Sequence, residues 1–338
     1  MLRIAVAFCL ILLAPLARAG ERILRNEGVI HAGASEIFNC FRSGEGLKKL
    51  WGVAHAEVDF KVGGMIRTNY DPAGKIGDDS TIGNAILAYE PDRMLAIRPI
   101  APVGAQDFVK KMCETGWSVI RLEPLTPTST RLSVTMAGFG EGELYDKAYA
   151  FFEQGNAWTV MKMQESMNDK TRETRNERVA KAWKSMLGTW EFSQKTPDGG
   201  TFRGRSVIAS LFGGRVIFAT GFLGNEKAMG QHSHFTAGID PESGEWMVWN
   251  FDQDGSFTKG AAYFEGDNMV VDWKTANAAD GKIIDYRVEY VFHDNGEYTV
   301  KVLTPAEKNG SRGTVAEVRY KKVADVLQPA SGAEAAAK

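Results

Sequence analysis

Glycine-bearing turns punctuate the second half of this chain, and they constrain its fold more tightly than any other feature. They stand at Asp198-Gly199-Gly200, Gly213-Gly214, Ser243-Gly244, Asp254-Gly255, Gly266-Asp267, Asp280-Gly281, Asn295-Gly296 and Asn309-Gly310. From Gly244 onwards they recur every 11 to 15 residues, the spacing of an antiparallel meander with hairpin turns. Between them apolar residues alternate with polar ones: Met269, Val271 and Trp273; Tyr286, Val288, Tyr290 and Phe292; Tyr298, Val300 and Val302. One face is apolar throughout. A meander of about ten such strands is most simply a closed barrel, because closure removes the exposed edges that invite aggregation.

The first half reads differently. Ile23, Val29 and Ile30 predict a strand within Arg22 to His31, and Ser35 with Glu36 opens a helical run that places Ile37, Phe38 and Phe41 on one face, broken by Gly44 and Gly46. A second short helix carries Leu47, Leu50 and Trp51. Strands follow at Ala56, Val58 and Phe60 and, after the Gly63-Gly64 turn, at Ile66, Thr68 and Tyr70, then near 82–89, 94–100, 117–122 and 130–137. A long helix is predicted from Gly142 to about Met186. Its first half sets Leu144, Ala148, Phe151, Phe152, Gly155, Trp158, Thr159 and Met163 at steps of three and four, a stripe wide enough to cover a sheet. Gly155 lowers helix stability by about 1 kcal/mol relative to Ala, so it marks either close approach of the sheet or room for a ligand. The run KTRETRNERVAK, residues 170–181, is charged all round and predicts a solvated helix between two domains.

The order helix, Trp51, acidic strand residue Asp59, Gly63, Gly64 resembles the START-like or SRPBCC superfamily, and within it the domain shared with activators of the ninety-kilodalton heat-shock ATPase and their bacterial homologues. The resemblance implies an α+β helix-grip fold, a curved antiparallel sheet around a long C-terminal helix with an apolar cavity between them. It also implies a small hydrophobic molecule as ligand, with Trp51, Phe60, Tyr70, Trp117, Phe152, Gly155 and Trp158 as the residues that line its site. The stretch LGTWEFSQKTPDGG is similar to a bacterial lipocalin-like family of unassigned function, with Gly188 and Trp190 in place of its first-strand Gly-x-Trp. The organisation expected is a signal peptide over 1–19, a START-like domain over 20–169, a charged helical linker over 170–186, a lipocalin-like barrel over 187–324 and a disordered tail over 325–338.

The N-terminus carries Arg3, an apolar run from Ile4 to Leu16 and then Ala17-Arg18-Ala19, which fits a cleaved secretory signal with the mature chain starting at Gly20. The run falls short of the roughly 20 apolar residues that span a bilayer, and Phe8 before Cys9 does not fit lipidation. A periplasmic or secreted protein is expected, with no stable membrane insertion after cleavage. Export would separate the chain from any cytosolic ATP-driven chaperone, so the co-chaperone role is not expected. Two cysteines then remain, Cys40 and Cys113, either bridged in an oxidising compartment or simply small buried side chains. A net charge of -2 excludes the basic face that a nucleic-acid partner requires.

Catalytic, cofactor and metal sites are not expected. Gly138, Gly140 and Gly142 superficially follow a dinucleotide fingerprint, but Glu143 stands where its third Gly belongs and no parallel sheet is predicted. His232 and His234 form an HxH pair like that of cupins, yet Glu226 replaces the cupin Gly, and the first downstream acid is Asp240. Arg67, Arg98, Arg121, Asp59 and Glu123 are the candidates for proton transfer in a cyclase-like cavity, the arginines being placed on the outer face of the sheet. In the barrel, Trp190, Phe235, Trp249, Trp273, Tyr290 and Tyr298 are placed around a second cavity. The function expected is an exported binding protein for a small hydrophobic molecule; the alternatives are a polyketide cyclase/aromatase-like or hydrolase-like enzyme, and an envelope protein-interaction or stress module without a small ligand.

Overall fold

The computed structural model describes residues 22–167, 171–195, 199–225, 227–307 and 310–325. The expected signal peptide and almost all of the expected tail lie outside them. The described residues form two compact units: one gathers 22–28, 38–122 and 132–166, the other 29–37, 123–131 and the described residues from 167 to 325.

The first unit is built on a seven-stranded antiparallel sheet, whose β1, β6 and β7 run on into the second unit, in the order β1-β7-β6-β5-β4-β3-β2. These strands are β1 (Arg22–Ile30), β2 (His55–Val58), β3 (Met65–Asn69), β4 (Ile82–Glu90), β5 (Met94–Ile100), β6 (Trp117–Thr126) and β7 (Ser129–Phe139). Between β1 and β2 lie α1 (Ala34–Cys40) and α2 (Gly44–Trp51). The α2 start is capped by Ser43, whose Oγ accepts the Gly46 N–H at 3.0 Å, and its end by Gly52 in the left-handed region. Leu47 and Leu50 are fully buried on its inner face and Trp51 nearly so. The first helical run ends before Gly44 and Gly46, at Cys40, and the two glycines belong to the first turn of α2. A Cβ on Gly44 would collide with the Ala56 carbonyl, and one on Gly46 with the Cys40 backbone. Close packing is what these glycines serve.

Two differences from expectation concern helices. A short α3 (Asp107–Thr115), not predicted, rests Phe108 and Met112 on a small core with Leu24, Met136, Phe139 and Ala148. The long helix is two helices, α4 (Glu143–Ser166) and α5 (Arg172–Ser185). Gly142, at φ 106°, starts α4, and its carbonyl accepts the Asp146 N–H at 3.0 Å. Helix and strand meet closely at one point: a Cβ on Gly28 of β1 would lie 2.8 Å from Val160 Cγ1 of α4.

In the second unit, β8 (Gly188–Lys195), β9 (Thr201–Leu211), β10 (Val216–Asn225), β11 (Met229–Ile239), β12 (Trp246–Asp252), β13 (Phe257–Glu265), β14 (Asn268–Ala276), β15 (Ile283–Phe292), β16 (Tyr298–Leu303) and β17 (Thr314–Ala324) close into an antiparallel barrel. The expectation from turn spacing holds. Gly255, Gly266, Gly281, Gly296 and Gly310 all take positive φ at the turns, where an L side chain would be strained. The Trp190 ring is buried, donates its Nε1–H to the Met186 carbonyl at 2.6 Å and packs against Tyr298.

The run expected to be a solvated helix is solvated on one side only. Val179, Ala182, Trp183 and Met186, at steps of three and four, join the apolar interior of the barrel with Ile217, Ala237, Val271 and Tyr290. The Trp183 ring stands 5.7 Å from those of Phe235 and Tyr290. Asn176 is held at both ends, its Nδ2 donating to the Gly244 carbonyl at 2.8 Å and its own carbonyl accepting from Trp246 Nε1 at 3.1 Å. The helix is thus part of the barrel core. Also inside this unit, the nearly buried Glu245 carboxylate accepts from the Thr126 hydroxyl at 2.6 Å, from Thr128 at 2.8 Å, from Ser129 at 3.1 Å and from Arg175 at 3.2 Å. Four donors make it a well-satisfied buried acceptor.

Candidate functional site

Between α4 and the sheet of the first unit lies a cavity of about 400 Å³. That size is at the small end of ligand pockets, which run about 300–1,000 Å³. The helix reaches it with Phe152, Gly155, Asn156, Thr159 and Met163, spaced so that one face of α4 forms a wall, and with Phe151 and Trp158 beside them. The sheet supplies Thr68, Ile82, Asn84, Ile97, Pro99, Ser118, Ile120, Val134 and Met136, and Trp51 and Tyr70 complete the lining. The strand residues obey the period-two rule: Thr68 shares its side with Ile66, Ser118 with Ile120 and Leu122, Asn84 with Ile82 and Ile86.

The expected stripe on α4 is only partly buried. Ala148 and Met163 are, as is Val160 outside the stripe, whereas Leu144 is exposed and Phe151 and Trp158 are open to solvent over about half of their surface or a little less, 51% and 40%. The cavity is the reason: the helix stands off the sheet along these turns. A Cβ added at Gly155, which is exposed at the edge of the cavity, meets nothing within 4 Å outside its own helix backbone, so the sheet does not approach this glycine closely. The rim is aromatic. Tyr70 and Trp158 meet edge to face at 6.0 Å, and Phe151 contacts Phe108 at 5.5 Å and Phe152 at 5.3 Å.

Five of the seven sequence-predicted residues therefore line the cavity: Trp51, Tyr70, Phe152, Gly155 and Trp158. Phe60 and Trp117 do not. Phe60 packs against Phe38 at 5.7 Å and Tyr89 at 4.9 Å instead. Trp117 is exposed because it occupies the opposite phase of β6 from Ser118 and Ile120. Sequence reasoning missed the polar liners Thr68, Asn84, Ser118 and Asn156; the alternation they share with buried isoleucines was the available signal.

Among the described residues, no carboxylate, amine, guanidinium or imidazole lines the cavity. Desolvation raises the Tyr70 phenol above its ordinary value although part of its ring is open to solvent, so this group also stays neutral. Arg67, Arg98 and Arg121 are exposed, Asp59 pairs with Lys61 at 3.0 Å, and Glu123 pairs with Arg131. Tyr70 follows a fixed loop. Asn69, buried at the end of β3, donates its Nδ2–H to Asp78 Oδ1 at 2.9 Å and to the Lys75 carbonyl at 3.1 Å, while its Oδ1 accepts the Asp71 N–H at 2.9 Å. The Lys75 N–H and the Ser80 hydroxyl on Asp78 hold that carboxyl down to about 2. Cys113 is a half-buried thiol pushed up to about 11 by burial, and it is not bridged to Cys40.

The barrel has a cleft of its own, of about 640 Å³, where β17 pairs with β8 through only Lys321↔Glu191, Lys322↔Trp190 and Ala324↔Thr189. Its walls carry Glu191, Arg203, Arg205, Glu317, Arg319 and Lys321, a charged lining unlike the apolar one of the first unit. Of the residues placed around a barrel cavity, Trp190, Phe235, Trp273, Tyr290 and Tyr298 belong to the packed interior, while Trp249 does not, being out of phase with Trp246 and Val248. His234 packs on Phe218 at 4.5 Å and reaches the Thr220 hydroxyl at 3.5 Å. Among the described residues no three His, Cys, Asp or Glu side chains gather as a metal site, and no helix is long and apolar enough to cross a membrane.

Comparison with known proteins adds the following. Residues 31–188 match the family model described as Activator of Hsp90 ATPase homolog 1-like protein. No curated protein matches the chain. Among solved structures the chain is similar to the Aha1 dimer from Colwellia psychrerythraea, with 14% identity, a TM-score of 0.33, and 43% of this chain and 96% of that one covered. It is similar to an HSP90 activator from Plasmodium falciparum, with 15% identity, a TM-score of 0.30, and 39% and 88% covered. It is similar also to the Zhui aromatase/cyclase from Streptomyces sp. R1128, with 15% identity, a TM-score of 0.34, and 45% and 97% covered. The first part of the chain, with its curved sheet and long helix, thus matches over residues 31–188 the domain model of activators of the Hsp90 ATPase, and a closed ten-stranded barrel follows it.

Proposed function

We propose that this chain binds a small hydrophobic molecule in the cavity between α4 and the sheet, and that it does so after export from the cytoplasm. One observation carries the binding reading: α4 leaves an apolar cavity open beneath it and rims that cavity with Tyr70, Phe151 and Trp158, aromatic side chains that a collapsed core would have buried. Large apolar side chains kept partly in water are unfavourable by about 25 cal/mol for each Å² left exposed, and an apolar occupant relieves this. The export reading rests on Arg3, the apolar run and Ala17-Arg18-Ala19; N-terminal sequencing of the mature protein tests it, Gly20 being the expected first residue and an uncleaved Met1 the contrary result.

Titration of the full chain with isoprenoid, polyketide and fatty-acyl compounds tests the binding reading, because Trp51 and Trp158 in the lining report occupancy through their emission. Phe152 lies on the helix wall, and burying such a side chain against a ligand contributes about 1.5–3 kcal/mol. Phe152→Ala is expected to weaken binding about tenfold or more while leaving the circular dichroism of the fold unchanged. Absence of any emission response across these classes would remove the reading.

A further inference from the structure

We propose that the molecule held in this cavity is uncharged and bears a hydrogen-bond acceptor, such as a carbonyl oxygen, on an otherwise apolar body. The inference rests on the binding reading and specifies its ligand.

The first argument is what the lining lacks. Its polar members Thr68, Asn84, Ser118, Asn156 and Thr159 are all neutral. The arginines of the same sheet, Arg67, Arg98 and Arg121, occupy the other phase of their strands and are exposed. A carboxylate carried inside, past the rim where Lys162 Nζ stands 5.8 Å from the Trp158 ring, would therefore lose its hydration and find no cation among the described lining residues, which is strongly unfavourable. A ligand whose carboxylate must lie inside is excluded by this chemistry; its neutral counterpart is not.

The second argument is what the lining leaves unused. Two residues that line the cavity, Trp51 and Asn156, each bury a donor, Nε1 and Nδ2, that has no hydrogen-bond partner. The Thr159 hydroxyl, by contrast, is satisfied by the Gly155 carbonyl at 2.9 Å. The other buried side-chain atoms without a partner among the described residues, Asn26 Oδ1, Trp183 Nε1 and Trp273 Nε1, belong to residues that do not line it. Buried donors are nearly always paired in native proteins, and both of these need an acceptor. A ligand oxygen supplies one where the chain does not, once a rotation of the side chain turns the buried donor to the cavity.

Three matched probes separate the terms: acetylnaphthalene, with a carbonyl acceptor; ethylnaphthalene, with the same shape and no acceptor; and naphthoate, with a charge. Each is titrated calorimetrically into the full chain at neutral pH. Acetylnaphthalene is expected to bind tightest, with naphthoate weaker by at least about tenfold and ethylnaphthalene by roughly threefold to tenfold, the range of one net hydrogen bond. Asn156→Leu or Trp51→Phe is expected to erase the advantage of acetylnaphthalene over ethylnaphthalene; the ratio of the two affinities within each variant is the readout, because either change also alters the lining itself, and circular dichroism reports the intact fold. Naphthoate binding as tightly as acetylnaphthalene, or an acetyl preference that survives in both variants, would overturn the inference while leaving the binding reading in place. Silence from all three probes, and from the broader ligand classes, would remove both.

Discussion

At the scale of single residues, the site depends on groups whose chemistry is modest but whose placement is fixed. Asp78 is the clearest case. Its carboxyl is held near 2 by the Lys75 N–H first and the Ser80 hydroxyl next, against about 3.9 in an unfolded chain. A carboxyl whose folded value is depressed contributes its stabilisation above the unfolded value and loses it as pH falls through the folded one. The loop of residues 71–81 is therefore expected to keep its hydrogen bonds down to about pH 4 and to lose them between about pH 4 and 2. Tyr70, next to the Asn69 anchor, should loosen with it. The Asn69 side-chain amide resonances, followed by NMR against pH, check this; an amide that stays fixed below pH 2 would show that other contacts hold the loop. Residues also show where sequence reading fails. Aromatic character picked out Trp51, Tyr70, Phe152 and Trp158, which line the cavity, but also Phe60 and Trp117, which do not, because bulk does not reveal the phase of a strand. Thr68, Asn84 and Ser118 escaped for the opposite reason: small polar residues look like surface until their alternation with Ile66, Ile86 and Ile120 is followed.

At the scale of elements, the helices carried more surprise than the strands. Hairpin turns made of Gly with Asp, Asn or Ser and the alternation between them are local signals, so the barrel was legible. The burial of α5 was not. Its first turns are charged on every side, and the apolar stripe of Val179, Ala182, Trp183 and Met186 begins only in the last residues of that run. The break at the end of α4 had no Pro or Gly to announce it, and α3 offered only Phe108 and Met112 at a spacing of four. If α5 belongs to the barrel core, Trp183→Ala should destabilise the second unit by about 3–5 kcal/mol, as large aromatic truncations do in packed interiors. Urea denaturation followed by the far-ultraviolet β signal measures this. A loss below about 1 kcal/mol would mean that the helix is only loosely attached.

At the scale of the whole molecule, the packing of α5 moves the expected boundary. A division within residues 173–181 would cut through α5, the helix that carries the stripe filling the barrel, whereas one before Arg172 would keep it whole. A fragment beginning at Thr171 is expected to retain cooperative β-structure unfolding, and one beginning at Gly188 to lose most of it. Equal stability of the two fragments, compared by thermal melts, would restore the charged run as a linker.

The account turns on an occupied cavity, and mass spectrometry of the protein purified from its own cell under native conditions tests that most directly. A Phe placed at Gly155 has open space in which to lie, since no atom stands within 4 Å of the position its Cβ would take, so Gly155→Phe should fill the cavity without unfolding the domain. The native chain is expected to carry a neutral, largely apolar adduct that Gly155→Phe lacks. An adduct retained in full by that variant, or a native chain that is empty and takes up none of the ligands offered, would contradict the account.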